Sequence, residues 1–370
     1  MKPLASQKEQ LARTLSVLTP VIDIIDTPVE APDAPAWCTE RGWLDFLLNL
    51  DDPALFASER GAFAELLAAD PSAPLGLREL AAQVGLCTRL PMLDTSDVVL
   101  PAAALRGVSA RKRGQLAALL GALPSLAVNA ERIVDVGAGR GHLSRLASEL
   151  FQIQTLAVDR DAALVESGLA RSVQRAREVG ALPLCFIHAN VGQERLELQS
   201  GDLALGLHAC GELGDRLVSA AAAARCDVAL VSCCLQKTSA ALRTPLSREA
   251  HGFCIRKSAL GLTNLSARDD GVEASLAENL QARAARLGLR YLLRARGLEL
   301  RDGEEMRGVN RRRAQLGFSE LAAHALGLRQ LPAPTAPELG HFAELARRHH
   351  AVMRRLSLPR SLLSRLVELA

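Results

Sequence analysis

Aromatic residues are scarce in this chain, at 3% of 370 residues. A base-stacking platform of several rings is therefore not expected, and the core must be built from Leu, Ala and Val. No CxxC pair occurs among the eight cysteines, and their spacings do not repeat. That argues against a disulfide framework and favours a reducing compartment. No uncharged apolar run reaches the length of a membrane span; the longest candidate, around Leu217 to Leu235, is interrupted by Arg225 and Asp227. Residues 1 to 20 mix Lys2, Lys8, Glu9 and Arg13 with apolar residues, so no secretory leader is read there. The formal net charge of +3 is too small to argue for nucleic acid by itself. The expectation is a cytoplasmic protein with no membrane association. At 49% hydrophobic and 23% charged, it has enough apolar sequence to fold.

Three textures follow one another. Residues 1–120 read as a helical region with loops: Leu77, Leu80, Ala81 and Val84 recur at helical spacing. Residues 121–300 alternate short β-type runs with amphipathic helices. The strand candidates are Arg132–Val136, Thr155–Val158, Leu184–His188, Leu203–Leu207, Val228–Ser232 and Arg290–Leu293. Leu143, Leu146, Ala147 and Leu150 lie at helical spacing between the first two, and Val165, Leu169, Val173 and Ala176 between the next two. Such alternation predicts an α/β class with a mostly parallel sheet covered by helices. Residues 301–370 read as a helical, arginine-rich extension, with Arg311–Arg313, Arg347, Arg348, Arg354 and Arg355.

The sharpest local signal is Asp135-Val136-Gly137-Ala138-Gly139-Arg140-Gly141-His142, where an apolar strand runs through alternating glycines into an amphipathic helix. Without a Cβ the backbone can turn sharply and let a ligand lie against it. Open α/β sheets bind ligands at such strand ends. Dinucleotide folds use GxGxxG, and the third glycine of that pattern is absent here, since the position is His142. The D-x-G-x-G-x-G form suits S-adenosylmethionine, with Asp135 facing the cationic amino acid end, directly or through water. The second strand ends at Asp159, whose carboxylate can accept both ribose hydroxyls; either cofactor class has that ribose. S-adenosylmethionine is the reading adopted over a nicotinamide dinucleotide or a vestigial, non-binding fold. Ala138, His142, Arg160 and His208 join the cofactor-lining candidates. Asn190 either meets the adenine through its amide or caps the following segment.

Farther along lie His208-Ala209-Cys210-Gly211-Glu212-Leu213, then Cys233-Cys234, then Pro245-Leu246-Ser247. Together with the glycine loop these segments resemble the methyltransferase-like 25 family, which includes the ribosomal-RNA-adenine-dimethylase-domain-containing protein. Ser109-Ala110-Arg111-Lys112 is similar to that family's Ser-Pro-Lys-Lys entry, and Phe46-Leu47-Leu48-Asn49-Leu50 is family-like too. The resemblance covers roughly residues 40 to 260 and implies a Rossmann-like class I methyltransferase fold that binds S-adenosylmethionine. Leu235 departs from the aromatic residue usual after the Cys pair, Ala110 replaces a proline, and the chain ends in helical sequence where a seventh strand is expected.

Cys210, Cys233 and Cys234 admit three readings. One is a catalytic thiolate attacking pyrimidine carbon-6. Another is a metal site together with His208, which adjacent cysteines fit poorly. The third, adopted here with no metal expected, is small side chains packing along the cofactor crevice. His208 is a general base, a cofactor contact or a structural histidine. Lys237 contacts substrate or is simply solvated. The Asn/Asp-Pro-Pro-aromatic loop of amino-nitrogen methylation is absent, and His208–Gly211 stands in its place. The acceptor expected is a macromolecule, with RNA favoured over protein because of the resemblance and the C-terminal arginines. The sequence leaves oligomeric state open.

Overall fold

Five parallel strands order themselves β3-β2-β1-β4-β5 in the computed structural model. The model describes all residues except 1–3, 101–104, 106–107, 181–183, 193, 265–274 and 301–302. The strands are β1 (Arg132–Val136), β2 (Gln154–Asp159), β3 (Cys185–His188), β4 (Asp202–Leu207) and β5 (Asp227–Val231). The chain builds β1, β2 and β3 toward one edge, then crosses back to place β4 on the other side of β1. This reversal between β1 and β4 opens a crevice at the carboxyl ends of both strands.

The central strand is buried on both faces because helices cover both. Ile133 joins one cluster with Leu116, Leu120, Leu143, Leu146 and Leu203. Val134 and Val136, one position out of phase, join Val158, Ala204, Leu217 and Ala221 on the other face. Strand β4 shares the burial, whereas β3 and β5 at the edges are more exposed.

Two compact units emerge. Arg89–Thr263 form the α/β unit, and Met1–Thr88 with Asn264–Ala370 form a helical one. These units divide the chain at 88 and 264. The Ala110–Gly121 helix belongs to the sheet because Leu116, Leu119 and Leu120 are buried in its core. The two helical ends of the chain pack into one unit. The Leu4–Leu18 helix meets Leu75–Cys87 and Leu358–Leu369. Arg354 grips Glu59 at 2.9 and 2.6 Å, and Arg355 reaches Asp52 at 3.0 Å.

One predicted strand is corrected. Arg290–Leu293 lies inside the Leu276–Ala295 helix. The run Tyr291-Leu292-Leu293 looks β-like by itself. A capping box joins Ser275 and Glu278 at the helix start, and Leu280, Leu287 and Leu289 are buried along it. Among the described residues the main sheet gains no sixth or seventh strand. The remaining strands, β6 (Leu242–Arg243) and β7 (Ile255–Arg256), form a separate antiparallel pair. No helix among the described residues is long and apolar enough to cross a membrane.

Candidate functional site

The loop after β1 hangs from β2. The amides of Gly137 and Ala138 both donate to the Val158 carbonyl, at 2.9 and 3.1 Å. The Gly139 amide donates to Oδ2 of Asp159 at 2.7 Å, and the other oxygen accepts the Asp161 amide at 2.9 Å. Asp159 thus shapes the loop from the end of β2. Gly139 has φ +58°, with open space where a side chain would begin. Gly141 has φ +71°, and a Cβ there would come within 2.7 Å of the Phe186 ring. The first glycine position faces a vacant surface; the second is closed by packing.

Asp135 is 2% exposed, on the same strand face as Ile133. The Ser144 hydroxyl donates to its Oδ2 at 2.6 Å. Burial pushes its carboxyl up to about 6, which the Ser144 hydrogen bonds and the Lys112 charge only partly offset. Close by, burial and the charges of Lys112, Arg145, Arg171 and Arg140 push His142 down to about 4, so its imidazole is neutral at pH 7. The loop therefore joins a buried acid to a rim of cations. A zwitterionic amino acid end has complementary charges for both. Ser144→Ala should cost about 1–2 kcal/mol at pH 7, because Asp135 loses a donor while ionised. Urea denaturation at pH 7 and pH 4 checks this: the loss should shrink at pH 4, where the acid is protonated.

Strands β4 and β5 bring the second group together. His208 continues the ladder, its amide donating to the Val231 carbonyl at 2.8 Å. Its φ is +65°, a left-handed conformation costly for a residue with a Cβ. Its Nε2 lies 3.0 Å from Oε1 of Gln115. Cys210 is 7% exposed, and its Sγ lies 3.1 Å from that of Cys233, which is itself 3.6 Å from Cys234 Sγ. The Cys233 amide donates to Cys210 Sγ at 3.2 Å. Burial pushes the Cys210 thiol up. Hydrogen bonds from Cys233 and Cys234 and the Lys237 charge outweigh it, and the net shift is downward. Cys233 is pushed up to about 12 by burial and by its two thiol neighbours.

Packing ties the loops into one surface. The Leu213 side chain lies 3.3 Å from where a Gly137 Cβ would be, linking the loops after β1 and β4. Gly211, at φ +60°, faces the Lys237 carbonyl so closely that no Cβ fits. Glu212 receives the Ser239 amide at 2.6 Å and binds the Ser239 hydroxyl. The loops after β4 and β5 are strapped together in this way.

Asn190 accepts the Gly192 amide on its Oδ1 at 3.1 Å. The carbonyl of Arg160 pairs with His188 Nε2 at 3.0 Å. The adjacent thiols, expected to converge poorly, do converge: the chain bends at Cys233 after β5 ends, so the alternation of a strand no longer separates neighbouring side chains. Ser144 and Gln115 were not singled out by sequence, and Lys112 only as part of the segment Ser109–Lys112. Only Ser144 had a usable signal, as the first of two hydroxyls, with Ser148, on the buried face of the helix after the loop. A cavity of about 770 Å³ lies elsewhere, in the helical unit, lined by Arg283, Arg286 and Arg354 among others.

A family profile described as a methyltransferase domain matches residues 115–241, which span the glycine loop, His208 and all three clustered cysteines. The glutathione S-transferase C-terminal domain-containing protein of Xenopus laevis is 32% identical over 127 residues. That stretch is 34% of this chain, and the chain spans only 19% of that relative's length. Among solved structures, similarity extends to a geranyl diphosphate C-methyltransferase of Streptomyces coelicolor at 16% identity and TM-score 0.23, over 40% of this chain and 60% of that one. It extends also to a putative protein-L-isoaspartate O-methyltransferase of Plasmodium falciparum at 20% identity and TM-score 0.25, over 44% and 78%. Scores this low carry no argument about this chain. The domain match and the strand order do: the core is a Rossmann-like class I methyltransferase fold, flanked by helical N- and C-terminal regions.

Proposed function

We propose that this core binds S-adenosylmethionine and transfers its methyl group to a protein or small-molecule acceptor. The observation that carries the reading is the loop itself. Space is open over Gly139, in a loop that follows the buried carboxylate Asp135 and is held by the strand-end carboxylate Asp159. The sulfonium is already an activated donor, so the protein need only align donor and acceptor and accept a proton where the acceptor has one to lose. Asp135 faces the amino end, Asp159 the ribose, and the loop backbone lies along the methionine portion. Ala138, His142, Arg160 and Asn190 fill out the lining. His208, held by Gln115 in a strained conformation, is the candidate to orient the acceptor or take its proton. The likeness to the methyltransferase-like 25 family, through His208–Leu213 and Cys233–Cys234, belongs to this reading, as does a cytoplasmic location.

An RNA acceptor rested partly on the C-terminal arginines. Several of these are engaged within the helical unit: Arg347 and Arg348 with Glu344, Arg354 with Glu59, and Arg355 with Asp52. Charges already paired release few counterions from a nucleic-acid backbone, which favours the protein or small-molecule reading. The test is incubation of the full chain with methyl-labelled cofactor and cell extract, split into nuclease-treated, protease-treated and low-molecular-weight fractions. Label that disappears only with nuclease would return the acceptor to RNA. Cofactor binding by calorimetry without production of S-adenosylhomocysteine in any fraction would leave a binding protein without catalysis.

A further inference from the structure

Three thiols meet at the ends of β4 and β5. Cys210 is buried, Cys234 half-buried and Cys233 exposed, and their sulfurs all lie within 4.8 Å of one another. The separations, 3.1 and 3.6 Å, are under the sulfur–sulfur edge of about 3.8 Å in a tetrahedral zinc–thiolate site with Zn–S near 2.3 Å. An outward movement of tenths of an ångström would seat an ion. We propose that Cys210, Cys233 and Cys234 bind a soft divalent cation of the zinc class, with the fourth coordination position open to solvent or to an incoming ligand.

Four features support this. The donor set is all sulfur, which selects zinc over magnesium or calcium. The amide-to-sulfur hydrogen bond from Cys233 to Cys210 is the kind of outer contact that orients a thiolate ligand. Lys237 acts electrostatically on Cys210 and partly balances the net single negative charge of a tris-thiolate zinc. Among the described residues no histidine or carboxylate joins the group, and His208 turns its Nε2 to Gln115 instead. Three protein ligands and one open position distinguish sites that act on a bound group from closed structural sites. On binding, each thiol releases its proton to solvent and donates a sulfur lone pair to the metal; nothing is oxidised. The inference stands on the thiols alone and does not depend on the cofactor reading.

The full chain, produced in zinc-supplemented medium and purified under thiol reductant without a metal-affinity column, should retain about one zinc per molecule. Cobalt(II) exchanged into it should show thiolate-to-cobalt charge-transfer bands and the visible bands of tetrahedral geometry. Titrating zinc into the metal-free chain should release protons. Cys210→Ser and Cys233→Ser should each weaken zinc binding more than about tenfold, while Cys254→Ser should leave it unchanged. Cys233 is exposed, so its variant decides the matter if the Cys210 variant does not fold. Absence of retained zinc and of cobalt bands, equal binding by the Cys233 variant, or recovery of a Cys210–Cys233 disulfide under reductant would each overturn the proposal.

Discussion

Asp135→Asn is expected to stabilise the ligand-free protein at pH 7 by about 2 kcal/mol while weakening S-adenosylmethionine binding by roughly 100-fold. Both effects have one cause. The carboxyl is 2% exposed and is raised from its ordinary 3.8 to about 6, chiefly by burial. Below about pH 4 the group is protonated in the folded and unfolded chains alike and has no effect. Between about pH 4 and 6 the unfolded chain has lost a proton that the folded chain keeps, so stability falls as pH rises. Above about 6 both states are ionised, and a penalty of about 3 kcal/mol is fully present. Asparagine does not ionise and still accepts from Ser144; its extra N–H needs a partner, which takes back part of the gain. Urea denaturation from pH 4 to 7.5 should show the variant and wild type alike at the acid end, with a gap that opens by pH 6. A gap independent of pH would remove the electrostatic account. An unchanged dissociation constant would remove Asp135 from the cofactor site.

Gly139→Val should also abolish most cofactor affinity, by about 100-fold or more, for a steric reason. A Cβ at 139 meets nothing within 4 Å, so the protein's own packing is not disturbed. The backbone at φ +58° costs a β-branched residue about 1–2 kcal/mol, and the chain should still fold. The added methyls project into the space assigned to the cofactor. Gly180→Val is the matched control. It has φ +66° and equally open surroundings but lies at the end of the Ala162–Val179 helix. The two variants should lose similar stability in thermal melts, and only the first should lose binding in calorimetry. Equal affinities in both would disprove the loop as the cofactor seat.

What was readable in the sequence was local. The five strands of the sheet fall within a residue or two of their predicted places, because short apolar runs bounded by turn chemistry suffer little interference from distant parts of the chain. The glycine loop was readable for the same reason: its left-handed angles require those residues where they stand. Arg290–Leu293 misled because a four-residue run cannot reveal the twenty-residue helix around it. The Cys210–Cys233 approach depends on β4 lying beside β5, a fact of topology that no spacing encodes. The Ser144–Asp135 contact is similar, joining a strand to the helix that follows its loop. Arg354 and Arg355 looked available because Glu59 and Asp52, their partners, are about three hundred residues away in sequence.

The helical unit is assembled from Met1–Thr88 and Asn264–Ala370, on either side of a contiguous α/β unit. A ribosome therefore delivers its two halves at different times. At roughly 5–20 residues per second, the first half waits on the order of tens of seconds for the second. Throughout that interval the helices that hold Leu18, Ile24 and Leu77, each 0% exposed in the finished protein, lack the Leu358–Leu369 helix they pack against. The α/β unit has all its own residues by position 263 and can close first. Nascent chains stalled shortly after that point should expose the apolar faces of the first-half helices.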